Sequence, residues 1–440
     1  MAGNRNKAST SHGRLPVNNT EIRRQRRRPL RSMILVFEMV WTGSAHATTN
    51  SAMIQTVARG FVEQPLRVFA EHSHLQELQS DPNLHPLQNI SYHAVPISAH
   101  FQYRPQIVSF RRGLREFWTL LRALRYVPPR EPCLIVLLSA TPTAIFAAAL
   151  LSRLTRRIVR THVVLHGNLN DAFGWRSRNP LARAIDLQAA LTHRHGGRVR
   201  LLVLEDAIRR ALSREAPITA DTTDVLRHPV DPLESANTQP ATLARPLRLG
   251  LVGQANEAKG ITPFLTLAAG FRVTHPATVH FYVVGNPRNG SDMTRYAALQ
   301  EPPQMERFTR VDFVEKLQHL HYVCMPMQPG YYALSASGAL LDAINWLKPV
   351  ITTRVPIVAD LFERFGDIGE LCDDLDSMRA AIEKLALNPD PDRYARQVAT
   401  LRRIRASRVP AALGATYRET VARVFPDLLP LPRNPDASHG

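Results

Sequence analysis

The segment 331–351 most constrains the fold, because it combines a small-residue loop, a helix and a short strand. Apolar residues recur at helical spacing after the loop, and they are Leu340, Leu341, Ile344 and Leu347. The β-branched run 350–353 then predicts a buried strand. A helix that begins after such a loop leaves backbone N–H groups free at its positive end, which is a typical phosphate site.

The same alternation of strands and helices recurs along the chain and predicts an α/β fold with parallel sheets. In the first half, strands are expected at 33–41, 66–70, 133–138, 158–165, 200–204 and 225–228. In the second half, they are expected at 247–252, 279–284, 322–325, 349–353 and 368–372. Helices are expected at 180–191, 291–299, 392–405 and 409–424 among others, whereas residues 75–105 show no regular pattern.

Charge and composition divide the chain into segments. The net charge is +18 over 440 residues, and part of it belongs to residues 1–32, which predict a disordered basic tail. We expect an N-terminal Rossmann-like domain at 33–230, a linker at 231–245 and a C-terminal Rossmann-like domain at 246–403. A crossing helix at 404–425 and a loose tail at 426–440 complete the chain.

Two segments resemble membrane elements. Residues 133–151 approach the length of a membrane span, but Ser139, Thr141, Pro142 and Thr143 interrupt them, which favours a strand, a turn and a helix. The helix 111–125 carries an apolar stripe among five arginines. It could cover a sheet with its arginines solvated, or it could contact an anionic membrane as a peripheral element. The protein is expected in the cytoplasm, at most on the inner face of the cytoplasmic membrane.

Two motifs carry a family resemblance: GLVGQANEAKG at 250–260 and LLDAINWLKPVI at 340–351. With the two-domain pattern, they make the chain similar to GT-B-fold glycosyltransferases, most of all the retaining family 4 enzymes. The resemblance implies two facing Rossmann-like doubly wound domains, an acceptor side on the first and a nucleotide-sugar site on the second. It also implies a C-terminal helix that crosses back, and a nucleotide-sugar as co-substrate with no other cofactor.

The donor-binding residues that the resemblance implies are Gly253, Gln254, Lys259, Gly285, Ser335, Ser337, Gly338 and Asp342. Lys259 would neutralise the leaving diphosphate. Gln254 stands where the family has an arginine, and Leu334 stands where it has the first of two carboxylates. Asp342, at the position of the second carboxylate, would accept from the ribose hydroxyls. A solvated lysine and an ordinary capped helix are the alternatives for Lys259 and for the 335–342 region.

On the first domain, the resemblance assigns a catalytic role beside the donor sugar to His166, with a loop histidine as the alternative. Gly43, Ser44 and His46 form the first strand–helix turn, which faces the acceptor in the family. Glu205 precedes a helix and is expected to be a structural or capping acid. No Asp-x-Asp follows an apolar strand, so no metal site is expected.

The resemblance therefore implies a glycosyltransferase that acts on a glycan or lipid-linked acceptor, and we expect it to serve bacterial surface polysaccharide synthesis. A non-catalytic GT-B partner or scaffold protein is the first alternative, because Gln254 and Leu334 replace charged residues. A basic nucleic-acid-binding protein is the second, although no nucleic-acid-binding module is present and no specific nucleic acid is expected.

Overall fold

The structure is a computed structural model. It describes residues 32–97, 108–165, 169, 172–173, 178–231, 240–287, 292–306, 308–328 and 330–428. The predicted basic tail up to residue 31, the linker residues 232–239 and the C-terminal residues 429–440 lie outside these ranges. His166 also lies outside the described residues.

The first half of the chain forms a seven-stranded parallel sheet in the order β3-β2-β1-β4-β5-β6-β7. Its strands are β1 Met33–Glu38, β2 Leu66–Ala70, β3 Ile90–Ala94, β4 Cys133–Ser139, β5 Val159–Leu165, β6 Val199–Val203 and β7 Thr223–Val225. Its helices are α1 Ala47–Gly60, α2 His72–Ser80, α3 Phe110–Ala123, α4 Pro142–Leu154, α5 Pro180–Arg183, α6 Leu187–Thr192 and α7 Asp206–Glu215. Leu35 and Phe37 belong to one apolar core, and Ile34 and Val36 to another. Since alternate residues of a strand point to opposite faces, both faces of this sheet are buried.

The second half forms a five-stranded parallel sheet in the order β12-β11-β10-β8-β9. Its strands are β8 Leu247–Val252, β9 Val279–Val284, β10 Tyr322–Met325, β11 Val350–Thr353 and β12 Gly369–Cys372. Its helices are α8 Ile261–Thr274, α9 Arg310–His319, α10 Gly338–Asn345, α11 Pro356–Phe365, α12 Leu375–Leu387 and α13 Pro391–Ala406. The expectation of two Rossmann-like parallel sheets is confirmed.

Three sequence predictions of local structure were wrong. The stretch 75–105 contains most of α2 and all of β3, a half-exposed edge strand whose mixed sequence, ISYHA, has no continuous apolar run. The helix expected at 180–191 is divided into α5 and α6, because Asp186 accepts from the N–H of Ala189 and begins a new helix. The helix expected at 291–299 is only a 3₁₀ turn, Met293–Tyr296.

The last helix, α14 Pro410–Val424, returns to the first domain and packs along α1. The two helices approach closely at glycines: a Cβ on Gly60 would lie 2.6 Å from the carbonyl oxygen of Gly414. Before α14, the buried Arg408 pairs with the buried Glu205, and the Arg408 carbonyl accepts from the N–H of Val230 at 3.0 Å. The predicted crossing helix is therefore present, and Glu205 has the structural role that was expected of it.

The interrupted segment 133–151 forms β4, a turn and α4, as expected. Helix α3 does not bury the whole of its predicted apolar stripe, as a helix that only covers a sheet would. Its buried residues are Arg112, Glu116, Leu120 and Ala123. Glu116 explains this orientation, because its carboxylate accepts from the hydroxyls of Thr141 and Thr143, each at 2.6 Å.

The outer side of α3 consequently exposes large apolar side chains. Phe110 is 62% exposed, Leu114 61% and Trp118 48%. No helix among the described residues is both long and apolar enough to cross a bilayer.

Candidate active site

The loop that follows β8 lies against the loop that follows β9. Gly253 has a φ of 85°, and its N–H donates to the carbonyl of Val284 at 2.8 Å. A Cβ on Gly285 would lie 2.1 Å from the Gly253 carbonyl oxygen, so any side chain there would collide with the backbone. The two predicted donor-binding glycines thus allow two loops to meet at the carboxyl edge of the sheet, where ligands of such sheets bind.

Lys259 folds back over this edge. Its backbone N–H is capped by the Asn256 side chain at 3.1 Å, and its Nζ lies 3.5 Å from the carbonyl oxygen of Val252. The side chain is half-buried. Burial lowers the pKa of Lys259, and the charge of Asp342 partly opposes this effect. The ammonium group and the Asp342 carboxylate therefore act on each other across the site, while Gln254 is exposed to solvent.

The loop before α10 has the small-residue character that the sequence indicated. Ser335 and Ser337 are buried, and the hydroxyl of Ser337 accepts from the N–H of Leu340 at 3.3 Å as the helix cap. Gly338 is exposed, and a Cβ placed on it would meet no other atom within 4 Å. The beginning of α10 therefore faces open space, as an anion-binding helix end requires.

Asp342 lies one turn further along α10 and has a partner that the sequence did not reveal. Its Oδ1 is 3.8 Å from Nη2 of Arg310, the first residue of α9. The Asp342 carboxylate is therefore not simply solvated.

The burial of Leu334 accounts for an apolar residue at the position where the family has a carboxylate. Leu334 is 7% exposed and belongs to the apolar core of the first domain, and the neighbouring Ala333 and Ala336 pack against the same core. The position at which the family has a carboxylate is thus an apolar contact between the two domains. This contact holds the loop that precedes α10.

The acceptor-side turn connects β1 to α1. Ser44 accepts through its carbonyl from the N–H of Ala47 at 3.2 Å, and His46 caps α1 with a left-handed backbone at φ 58°. The His46 ring stacks on Trp41 at 4.2 Å between centroids. Desolvation by the surrounding protein and the nearby His74 lower the pKa of His46, which favours the neutral ring.

A buried polar network below this turn was not predicted. Glu38 accepts from the N–H groups of Val40 at 2.7 Å and Trp41 at 3.0 Å, and from Asn50 Nδ2 at 2.9 Å. Asn50 also contacts His74 Nε2 at 3.0 Å. Complete burial raises the pKa of Glu38 to about 7. Only Asn50 and His74 mark this network in the sequence, and neither belongs to a motif.

The far end of the network is the turn itself. His74 Nδ1 donates to the carbonyl of Gly43 at 2.7 Å, and the N–H of Gly43 donates to Ser73 Oγ at 2.9 Å. Burial lowers the pKa of His74, consistent with a neutral ring that donates through Nδ1 and accepts through Nε2. The network therefore supports the acceptor-side turn from beneath.

One cavity of about 220 Å³ joins the two sides. Its first-domain wall is the beginning of α1, with Thr48, Thr49 and Ala52, and the segment 228–231. Its second-domain wall is formed by Arg310, Gly338, Leu341, Asp342 and Asn345. The structure thus brings the predicted Gly338 and Asp342 opposite the helix that His46 caps.

Other residues predicted to bind the donor lie outside this cavity. Lys259, Gly253 and Gly285 lie on neighbouring loops and do not line this cavity. Sequence reasoning missed Arg310 and Thr48, which belong to no motif, and Asn345, which lies inside the motif at 340–351 but was given no role. Within the part of the chain that is described, no three His, Cys, Asp or Glu side chains are grouped so as to hold a metal ion.

Comparisons with known proteins agree with this geometry at the level of fold. No family model matches the sequence, and no curated protein matches it. The glycosyltransferase from Rickettsia africae ESF-5 has a TM-score of 0.64 and 11% identity, over 90% of this chain and 98% of that one. WaaG, a glycosyltransferase involved in lipopolysaccharide biosynthesis, has a TM-score of 0.57 and 13% identity, over 88% and 99%.

A third similar structure contains a bound small molecule. It is the trehalose-6-phosphate protein from E. coli bound with UDP-2-fluoro glucose, with a TM-score of 0.57 and 10% identity, over 89% of this chain and 99% of that one. The structure has two facing parallel sheets and a crossing C-terminal helix, and it matches these structures along almost the whole chain. The chain has the GT-B-like fold of these glycosyltransferase structures.

Proposed function

We propose that this chain is a glycosyltransferase that moves a sugar from a nucleotide-sugar donor to a glycan or lipid-linked acceptor. In this proposal the transfer retains the anomeric configuration, needs no metal ion and serves bacterial surface polysaccharide synthesis. The observation that carries the proposal is the shared cavity, in which Gly338 and Asp342 face the beginning of α1. Donor and acceptor would then meet between the two domains.

The donor diphosphate would lie at the free N-terminus of α10, close to positive charge. Lys259 and Arg310 would supply this charge as the bond between the sugar and the diphosphate breaks. The acceptor oxygen forms the new bond to the sugar, and its hydroxyl proton is released. Asp342 would exchange its contact with Arg310 for the ribose hydroxyls. Two similar structures support a nucleotide-sugar donor and a glycan acceptor, since one binds UDP-2-fluoro glucose and another is involved in lipopolysaccharide biosynthesis.

A movement of the two domains during the reaction cycle is part of the proposal. About 220 Å³ is below the ~300–1,000 Å³ of usual ligand sites. A nucleotide-sugar would therefore enter after the domains separate, and closure would exclude water from the reacting sugar.

The proposal is tested by screening the full chain against UDP-, GDP- and ADP-sugars by thermal shift, followed by transfer assays with the sugar that stabilises it. We expect one nucleotide class to raise the melting temperature. If no nucleotide or nucleotide-sugar stabilises the protein, the proposal fails.

A non-catalytic GT-B partner protein is the second candidate. Leu334 is committed to an apolar contact and Gln254 brings no charge, so two charged groups of the family pattern are missing. This candidate predicts nucleotide binding without transfer or hydrolysis in the same assays.

Peripheral membrane contact through residues 111–125 is part of the proposal. The exposed Phe110, Leu114 and Trp118 would enter the interface of an anionic bilayer, and the neighbouring Arg111 and Arg115 would face its phosphates. Sedimentation with phosphatidylglycerol vesicles tests this contact. Phe110→Ser/Leu114→Ser should abolish it, and equal sedimentation of this variant would contradict it.

A further inference from the structure

A groove of about 320 Å³ runs between α3 and the edge strand β3, and we name it the α3 groove. Its wall on the sheet side includes Phe69, His93 and Tyr126. Its wall on the helix side includes Arg115, Trp118, Thr119 and Arg122, and Arg125 closes the end.

The α3 groove continues towards the candidate active site. A smaller pocket shares Val95, Pro96, Arg115 and Thr119 with it. This pocket also includes Met39 and Val40, which follow β1 and lead into the acceptor-side turn, and Thr141 at the carboxyl end of β4. The groove therefore begins at the carboxyl edge of the first sheet and leads outward beneath α3.

The sheet-side wall is a stack of rings. The rings of Phe69 and His93 are stacked at 5.0 Å, and those of His93 and Tyr126 lie 4.6 Å apart. The guanidinium groups of Arg67 and Arg125 lie over the Tyr126 ring, at 4.6 Å and 4.8 Å. Such a wall suits the apolar face of a sugar ring or a hydrocarbon chain, and the arginines hold its rings in place.

The groove is strongly positive. Arg115, Arg122 and Arg125 are exposed, and none of them has a carboxylate within ion-pair distance among the described residues. The side chains that line the groove include no aspartate or glutamate, and the carboxylate of the adjoining smaller pocket, Glu116, is buried beside Arg112. Burial lowers the pKa of His93, and the charges of Arg67 and Arg125 lower it further.

We propose that the α3 groove binds a phosphate or diphosphate group of the acceptor, with the attached glycosyl or hydrocarbon part against the half-buried His93 and Tyr126, while Phe69 supports His93 from the core. Arginine recognises phosphate through paired N–H donors, and three arginines at one groove fit a di-anionic group. The proposal rests on the proposed function for calling the ligand an acceptor, but the binding itself does not depend on it.

The test titrates the full chain with four probes and measures binding by calorimetry and by intrinsic tryptophan fluorescence, to which Trp118 in the groove contributes. Glucose 1-phosphate and farnesyl diphosphate are the phosphorylated probes, and glucose and farnesol are their neutral counterparts. Binding of glucose 1-phosphate alone assigns a soluble acceptor. Binding of farnesyl diphosphate alone assigns a lipid-linked acceptor. We expect at least one to bind, and its neutral counterpart to bind ~10-fold more weakly or not at all.

The variant Arg115→Gln/Arg122→Gln tests the assignment to this groove. We expect it to weaken the phosphorylated probe ~10-fold. Arg130→Gln/Arg156→Gln is the matched control, because both arginines are exposed on the first domain but do not line the groove. Binding of neither phosphate ester by the wild-type chain, or equal binding by Arg115→Gln/Arg122→Gln, would overturn the proposal.

Nucleotide binding by the same proteins separates this proposal from the proposed function. Arg115→Gln/Arg122→Gln should still be stabilised by the nucleotide that stabilises the wild type. Arginine-dependent phosphate binding in a chain that binds no nucleotide would leave the groove assigned and refute the transferase.

Discussion

Asp342 and Arg310 face each other at the cavity between the two domains, with 3.8 Å between Oδ1 and Nη2. Both side chains are partly exposed, at 26% and 42%. A pair of this kind stabilises a protein by only ~0–1 kcal/mol. The proposed donor could therefore separate the two groups at little cost in free energy. Arg310 would then contact its diphosphate and Asp342 its ribose hydroxyls.

Asp342→Asn tests this relationship. We expect the melting temperature to change little and the affinity for the stabilising nucleotide to fall ~10-fold, because an amide is a weaker acceptor for ribose hydroxyls. Asp376→Asn on α12 is the control, since it is also an exposed helix aspartate but lies away from the cavity. Unchanged nucleotide affinity in Asp342→Asn would remove the ribose assignment.

Lys259→Ala should reduce transfer without unfolding the chain. If its ammonium group neutralises the departing diphosphate, we expect a loss of ~10²–10³-fold in the transfer rate. Lys316→Ala is the control, because Lys316 pairs with Glu301 on the surface of the same domain. Full activity of Lys259→Ala would show that the diphosphate lies elsewhere.

Leu334→Ala should loosen the contact between the domains. The side chain is buried in the core of the first domain, so we expect a loss of ~2–5 kcal/mol in the free energy of unfolding. Leu387→Ala is the control, because Leu387 is 46% exposed, and it should change stability by less than ~0.5 kcal/mol. Equal effects in urea denaturation would contradict the role assigned to Leu334.

Arg408→Met should destabilise the protein strongly. It leaves the buried Glu205 carboxylate without its partner, and such changes cost ~3–5 kcal/mol. The double variant Glu205→Leu/Arg408→Met removes both charges, and denaturation should show it to be more stable than Arg408→Met alone. If the two variants are equally stable, the carboxylate does not depend on this partner.

Glu38 should make the stability pH-dependent. Its pKa is raised to about 7 in the folded protein, from 4.5 in the unfolded chain, so the folded state binds the extra proton between these values. Its contribution is therefore complete below about pH 4.5 and is lost as the pH rises through about 7. Glu38→Gln removes this dependence, and the difference in unfolding free energy between wild type and variant should shift by up to about 3 kcal/mol between pH 5 and 8.

A second buried group acts in the opposite direction. Burial lowers the pKa of His228 to about 4, so its contribution grows as the pH rises from about 4 to 6.5. The comparison with Glu38→Gln cancels this effect, since both proteins retain His228. A constant difference between the two proteins over pH 5–8 would contradict the raised pKa of Glu38.

Local sequence patterns predicted the order of strands and helices well. Strand β9 has the bounds expected for it, Val279–Val284, because an apolar run between turn residues is a local signal. The edge strand β3 was missed because a half-exposed strand needs no such run. The outward stripe of α3 was missed because Glu116 is stabilised by Thr141 and Thr143, about twenty-five residues later.

The sequence by itself determined the two parallel sheets and the loops that carry Lys259 and Gly338, because each follows from periodicity and small residues within a short stretch. Only the tertiary structure decided that Arg310 meets Asp342, that Leu334 is buried in the other domain, and that α3 exposes Leu114 and Trp118. These three features depend on contacts between residues that are distant in the chain. The pattern of a single segment cannot encode which partner a side chain will meet across a domain boundary.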